Sequence, residues 1–208
     1  MHLAHAIAYG AFESLQELNL SENRIRNDGI SALSAVLANG AARALVKINL
    51  FTNDIGSAGA VAISEALSVR LCPLTDLDLS INPIGVEGAV AIGDALRVNG
   101  ALTSLNIQGN EIGDEGARAI GDALRVNGAL TEINLRVNDL GTGAWCAIFN
   151  ALRDNKENKI ALWDLSQQGI DVEAARAIAE YVAVSGAADP QPRGERPCQL
   201  GANVVAAK

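Results

Sequence analysis

The sequence predicts an α/β solenoid in which short parallel strands form one side and helices form the other. One segment recurs six times along the 208 residues, which is typical of a repeat architecture. A stretch with the period of an amphipathic helix follows every copy. Hydrophobic residues make up 49% of the chain but aromatic residues only 3%, so we expect a core of thin, closely stacked elements.

The strand half of each repeat has the pattern Leu-x-x-Leu-x-Leu-x-x-Asn. Its last two apolar positions alternate, as in Leu105 and Ile107, so one face of a short strand is buried and the residues between them point outward. Successive copies are separated by 30, 29, 28, 28 and 30 residues. The six copies begin at Leu15, Leu45, Leu74, Leu102, Leu130 and Ile160.

The helix half of each repeat carries apolar residues four, seven and eight positions after a Gly or Ala, as at Ile92, Ala95 and Leu96 after Gly88. This spacing places them on one stripe of a helix.

Two groups of residues are expected to mark the helix ends. Side-chain oxygens are expected to cap the helix starts at Asn27, Ser57, Asp114 and Thr142. Asn-Gly pairs are expected to end helices in a left-handed conformation at 39–40, 99–100 and 127–128.

Strand-helix units of constant length stack with their strands parallel and their crossovers right-handed. Strands lie about 4.8 Å apart and helices roughly 8 to 10 Å apart, so the stack curves into a horseshoe with a concave sheet and convex helices. We expect six strand-helix repeats plus a partial N-terminal helix, because residues 3–10 repeat the apolar spacing of residues 33–40.

The repeat body is predicted over residues 1–184. Because the chain opens inside a repeat, we expect it to be part of a longer array. Residues 185–208 contain Pro and Gly without a sustained period, so this segment is predicted to be a flexible C-terminal tail. The Trp and Tyr of the last repeat are expected to cover the open end of the core.

The repeats resemble those of the ribonuclease-inhibitor type of leucine-rich repeat, in which LxxLxLxxNxI is followed by GxxxIxxAL. Copies such as NEIGDEGARAIGDAL at 110–124 are most similar to the arrays of nucleotide-oligomerisation-domain-like receptors. Ran GTPase-activating protein is a more distant relative. The resemblance implies a leucine-rich-repeat solenoid that binds proteins and does not catalyse a reaction.

Composition excludes several classes of partner. The 16 Lys and Arg residues are outnumbered by 24 Asp and Glu residues, and the net charge of −8 opposes binding to nucleic acid and to an anionic membrane. Three dispersed cysteines, Cys72, Cys146 and Cys198, fit neither a disulfide framework nor a zinc site. We therefore predict a soluble, cytoplasmic protein.

Asparagine recurs at the end of every strand segment but the last. A side-chain amide at this bend can satisfy backbone groups that have no ladder partner, so these residues are predicted to form a structural asparagine ladder. They are Asn23, Asn53, Asn82, Asn110 and Asn138.

The concave face is the predicted site of partner binding. A second polar column lies between the strand leucines and faces outward, although a merely solvated sheet face would look the same. With neighbouring outward positions, the predicted contact residues are Glu17, Asn19, Lys47, Asn49, Phe51, Asp76, Asp78, Asn106, Gln108, Glu132, Asn134, Arg136 and Asp164.

This face is predicted to be acidic, with some apolar residues exposed. It carries six acidic residues, which include Glu22, and two basic residues, so its charge is −4. Phe51, Ile81 and Val137 are expected to add exposed apolar surface suited to protein docking.

Catalytic chemistry finds little support in the sequence. The two histidines, His2 and His5, lie at the chain start, so no nucleophile-His-acid set can be assembled from spacing. Asp114 and Glu115 stand between glycines but lack the Lys and Ser or Thr of a phosphate-binding loop. We expect no enzyme activity, cofactor or metal.

The sequence therefore predicts a protein-protein interaction module that forms a regulatory or sensing part of a larger protein. Its partner is expected to be a protein, and a basic surface on it would complement the acidic concave face. The alternative, which follows from the resemblance alone, is a GTPase-activating protein for a Ran-like small GTPase. A sugar or peptidoglycan sensor is disfavoured because the concave face has few aromatic residues.

Overall fold

A computed structural model describes residues 14–187 of the chain as alternating strands and helices. Each strand is three residues long, and the helices have 11 to 16 residues. In chain order the elements are β1 Glu17–Asn19, α1 Arg26–Ala38, β2 Lys47–Asn49, α2 Ser57–Leu67, β3 Asp76–Asp78, α3 Gly85–Val98, β4 Ser104–Asn106, α4 Gly113–Leu124, β5 Glu132–Asn134, α5 Thr142–Asp154 and α6 Val172–Ala187.

The five strands form one parallel sheet in the order β1-β2-β3-β4-β5. The register is constant, so equivalent residues of successive repeats stand side by side, as Ile48, Leu77 and Leu105 do. Each helix packs against the helix of the next repeat. The predicted α/β leucine-rich-repeat architecture, with a sheet on one side and helices on the other, is confirmed.

The core lies between the sheet and the helices. The central strand residues point inward and are buried, and so are the predicted helix stripes, for example Ile92, Ala95 and Leu96. Small residues let neighbouring helices approach closely: a Cβ atom on Gly93 of α3 would lie 2.9 Å from the carbonyl oxygen of Ala119 in α4. The low aromatic content thus matches thin, closely stacked layers.

The sixth repeat forms a helix but no full strand. Its segment joins the sheet through one isolated bridge between Glu132 and Leu162, so the prediction of six strands is wrong by one. We attribute the difference to the large Trp163, which stands where the other copies have Leu or Ile.

The predicted end of the repeat body, at residue 184, lies inside the last helix. Helix α6 continues to Ala187, three residues beyond the predicted boundary at 184. The partial N-terminal helix, both histidines and the tail from residue 188 onward lie outside the described residues.

An aromatic cluster covers the core at the last repeat. The ring of Phe149 lies 6.2 Å from that of Trp145, 5.1 Å from that of Trp163 and 5.7 Å from that of Tyr181, measured between centroids. All four side chains are buried. The Tyr181 hydroxyl donates a hydrogen bond to the carbonyl oxygen of Ile160 and accepts one from Asn158.

Two of the predicted helix caps, Asn27 and Asp114, bind the backbone of the neighbouring repeat instead of their own helix. A third, Thr142, donates a hydrogen bond to the Asp171 carboxylate of the next repeat. Asn27 lies inside α1, and its Oδ1 accepts hydrogen bonds from the amides of Gly56 and Gly59 at the start of α2. Asp114, inside α4, likewise accepts one from the amide of Gly141. Because the helix starts stand side by side, a side chain in the first turn reaches the next helix more easily than its own amides.

The Asn-Gly pairs also differ from the prediction. Gly40 is left-handed, with a φ of 73°, but the glycines at 100 and 128 are not. There the asparagines form a second buried ladder, which the sequence analysis missed: Asn99 donates to the carbonyl of Leu67, Asn127 to that of Leu96 and Asn155 to that of Leu124. Each side-chain amide thereby satisfies a carbonyl near the end of the helix one repeat earlier in the chain.

Within residues 14–187, every helix is too short or too polar to cross a lipid bilayer.

Candidate functional site

The sheet has one uncovered face, which we call the concave face. Two rows of outward residues flank the buried central row of the strands, and the register aligns each row across the sheet. Every predicted contact residue on the strands is exposed or half-buried. The first row is Glu17, Lys47, Asp76, Ser104 and Glu132; the second is Asn19, Asn49, Asp78, Asn106 and Asn134.

The second row has a structural role that its exposure alone would not reveal. In each copy the side-chain Oδ1 accepts a hydrogen bond from the amide two residues later, at 2.8 to 3.2 Å. Such Asx turns stabilise the bend where the strand ends. Asn and Asp both provide this oxygen, which explains why only these two residues occupy the position.

The remaining polar atoms of the second row join neighbouring repeats. The Nδ2 of Asn106 donates to Oδ2 of Asp78 at 3.1 Å, and the Nδ2 of Asn134 donates to Oε1 of Gln108 at 3.0 Å. Asp78 also accepts a bond from the Ser80 hydroxyl. The face is therefore a pre-ordered polar network, which lowers the entropy lost when a partner binds.

Both cations predicted for this face are paired with acids of the same face. Lys47 Nζ lies 3.8 Å from Asp76 Oδ2, and Arg136 Nη1 lies 2.7 Å from Asp164 Oδ2. Hydrogen bonds from Ser166, together with Arg136, lower the pKa of Asp164 below its ordinary value and keep it ionised at neutral pH. Glu17, Asp78 and Glu132 have no ion-pair partner among the described residues.

The asparagine ladder borders the concave face at the ends of the strands. Asn53, Asn82, Asn110 and Asn138 are buried, whereas Asn23 in the first described repeat is exposed. The Nδ2 of Asn82 donates to the carbonyls of Leu50, Leu79 and Ser80, and its Oδ1 accepts from the amides of Asn53 and Ile55.

Pro83 interrupts this pattern at the centre of the array. Residues in the same place after the ladder asparagine, such as Asp54, Glu111 and Asp139, have a positive φ, which proline cannot adopt. The amide of Ile84 donates to the Asn82 carbonyl, whereas its counterpart Ile55 donates to a ladder side chain. As a result the buried Oδ1 of Asn110 has no hydrogen-bond partner among the described residues.

A further column was missed by the sequence analysis: the residue before each ladder asparagine is left-handed. The φ values of Thr52, Ile81 and Val137 are 53°, 53° and 56°. This conformation costs an L residue about 1 to 2 kcal/mol and is an outlier for β-branched side chains. Gly109, in the same position with a φ of 65°, was the one sequence signal that could have revealed it.

The left-handed residues are held in place by the sheet. The amide of Ile81 donates to the carbonyl of Gln108, and the amide of Gly109 donates to that of Arg136. Ile81 and Val137 are 43% and 59% exposed, while Phe51 is half-buried. The expected apolar surface therefore exists, but it is concentrated on the left-handed column.

Within 14–187, His, Cys, Asp and Glu side chains form no cluster of three or more that could hold a metal ion. Cys72 and Cys146 are free, and burial raises the pKa of both thiols.

Comparisons with known proteins agree with this architecture. A protein-family model described as Leucine Rich repeat matches residues 13–34, 43–64, 70–93 and 101–121. No curated protein sequence matches the chain significantly.

Two solved structures are similar in fold. A structure titled leiomodin-1 actin-binding site 2 has a TM-score of 0.62 and 21% identity, with 73% of this chain and 86% of that chain covered. The tropomodulin C-terminal domain of Caenorhabditis elegans has a TM-score of 0.57 and 16% identity, with 74% and 94% covered. The repeats matched in the sequence and the stacked strands and helices together identify the chain as a leucine-rich-repeat solenoid.

Proposed function

We propose that this chain is a protein-binding module whose concave face takes a basic region of a partner protein. The observation that carries the proposal is an uncovered sheet face with an excess of acid whose cations are already paired. Lys47 and Arg136 lie against Asp76 and Asp164, so they do not neutralise the remaining carboxylates.

The geometry supports binding by a preformed surface. The outward side chains of the second row are hydrogen-bonded to the strand ends and to each other, so little ordering is required when a partner docks. Excess negative charge steers a basic partner toward the face and discriminates against acidic ones.

Actin is a named candidate partner, because one solved structure of similar fold is titled an actin-binding site. The alternative activity, acceleration of GTP hydrolysis by a small GTPase, gains no support from the family match or from the two structural neighbours.

The test is a double variant that changes charge but keeps the fold. Asp78→Asn preserves the Asx turn, since Asn occupies the equivalent positions 49, 106 and 134. Glu132→Lys reverses an exposed carboxylate on β5. We expect the double variant to bind the partner at least about tenfold more weakly, because close charge pairs at interfaces contribute one to several kcal/mol. Affinity purification with quantitative mass spectrometry, in which actin is followed by name, measures the loss.

The matched control is Glu65→Lys combined with Glu87→Gln. Both residues are exposed on helices α2 and α3, and the change in net charge is identical. We expect this control to retain the partners of the wild type. Equal loss of partners from both variants would contradict a role for the concave face, because it would show that only total charge matters.

A further inference from the structure

Ile81 and Val137 combine two properties that folding alone does not favour. Both hold a left-handed backbone that β-branched residues avoid, with φ values of 53° and 56°. Ile81 is 43% exposed and Val137 is 59% exposed, so burial of their side chains offsets only part of the free-energy cost of the left-handed backbone. Gly109 shows that the same chain accommodates glycine at the equivalent position. Strain kept at an exposed position indicates a use outside the fold.

Ile81 and Val137 flank Gly109 in the column of left-handed residues. A Cβ atom on Gly109 would come within 2.5 Å of the Cδ1 atom of Ile81, so the Ile81 side chain already covers this glycine. The result is an exposed apolar patch in which Ile81 lies over the Gly109 backbone and Val137 stands on the next repeat.

The residues next to this patch in the chain are acidic. Glu111 and Asp139 are exposed two residues beyond Gly109 and Val137, and Asp78 ends strand β3 three residues before Ile81. Arg136, the residue before Val137, is paired with Asp164. The patch therefore lies in an acidic part of the concave face.

Resting on the proposed function, we infer that Ile81 and Val137 are the apolar anchors of the binding face. The occupant is a partner segment with one aliphatic or aromatic side chain flanked by lysine or arginine. The apolar side chain packs on Ile81 and Val137, and the flanking cations meet the acids beside this patch. Apolar anchors surrounded by polar contacts are the usual arrangement of binding energy at protein interfaces.

Two synthetic nonapeptides test the inference. In both, lysine and serine alternate around a central residue, which is leucine in one peptide and serine in the other. Affinities are measured by fluorescence anisotropy, and methyl NMR follows Ile81 and Val137. We expect the leucine peptide to bind about tenfold more tightly, as burial of one leucine side chain predicts. Only this peptide should shift the Ile81 and Val137 methyl resonances.

The matched variants are Ile81→Asn with Val137→Asn, and Val98→Asn with Val126→Asn. Asparagine tolerates the left-handed conformation, so the first pair should raise the urea midpoint while it abolishes the preference for leucine. Val98 and Val126 are also exposed, at 68% and 59%, but they have ordinary backbone angles. Their replacement should therefore change neither the urea midpoint nor the preference for the leucine peptide.

The outcomes separate the anchors from the charged face. Equal binding of the two peptides, or an unchanged leucine preference in the Ile81→Asn/Val137→Asn variant, would show that Ile81 and Val137 are not anchors. Neither result would contradict binding by the acidic face. A preference for leucine that persists while the Asp78→Asn/Glu132→Lys variant binds with wild-type affinity would instead contradict the proposed function.

Discussion

Replacement of Asn82 by leucine is expected to lower the free energy of unfolding by about 3 to 5 kcal/mol. The two side chains have similar shapes, but leucine cannot replace the five hydrogen bonds that the Asn82 amide makes with the backbone of two repeats. Each buried group left without a partner costs about 1 to 3 kcal/mol. Urea denaturation followed by circular dichroism measures the change.

Asn110→Leu is the matched control for this prediction. Asn82 and Asn110 are equally buried, but the Asn110 side chain makes only two hydrogen bonds, both donated by Nδ2. We expect this variant to lose about half as much stability as Asn82→Leu. Equal losses from the two variants would show that packing, and not hydrogen bonding, sets the contribution of the ladder.

Removal of the Phe149 ring should destabilise the last repeat by a similar amount. Phe149 is 1% exposed and packs against three other aromatic rings, so Phe149→Ala is expected to cost about 3 to 5 kcal/mol. Hydrogen exchange should show the largest loss of protection in α6, because that helix has a single neighbouring helix, α5.

Phe149→Leu provides the comparison, since it keeps an apolar side chain and should cost less than Phe149→Ala. A loss below about 1 kcal/mol for the alanine variant, or uniform loss of protection along all helices, would mean that the aromatic cluster does not stabilise the end of the array.

The periodic part of the structure could be predicted from sequence because equivalent apolar residues pack in the same way in every repeat. Alternation at Leu105 and Ile107 determines which strand face is buried, and the helical stripe at Ile92 and Leu96 determines which helix face meets it. Five strands and six helices lie where this pattern places them.

Features that depend on contacts between repeats were harder to predict. Asn27 and Asn99 were assigned to their own helix ends, whereas both satisfy backbone groups of a neighbouring repeat. Sequence spacing cannot distinguish a local partner from one about thirty residues away that the stacking brings equally close.

The candidate site was predictable in position but not in detail. The outward rows follow directly from alternation in the strands. The pairing of Lys47 and Arg136 with acids on adjacent strands, and the left-handed backbone at Ile81 and Val137, depend on the three-dimensional register of the sheet. These features add to the predicted acidic face the pairing of its two cations and the strained backbone of its exposed apolar residues.

Site-specific photo-crosslinking tests the central claim, that a partner binds the concave face, most directly. Benzoylphenylalanine is introduced at Ser104 on β4 or at Glu115 on α4, which places the same probe on the sheet side or the helix side of one repeat. In a cell extract, irradiation should join a partner protein to the Ser104 variant and leave the Glu115 variant unmodified. A partner joined at Glu115 and absent at Ser104 would contradict the account and identify the helices as the recognition surface.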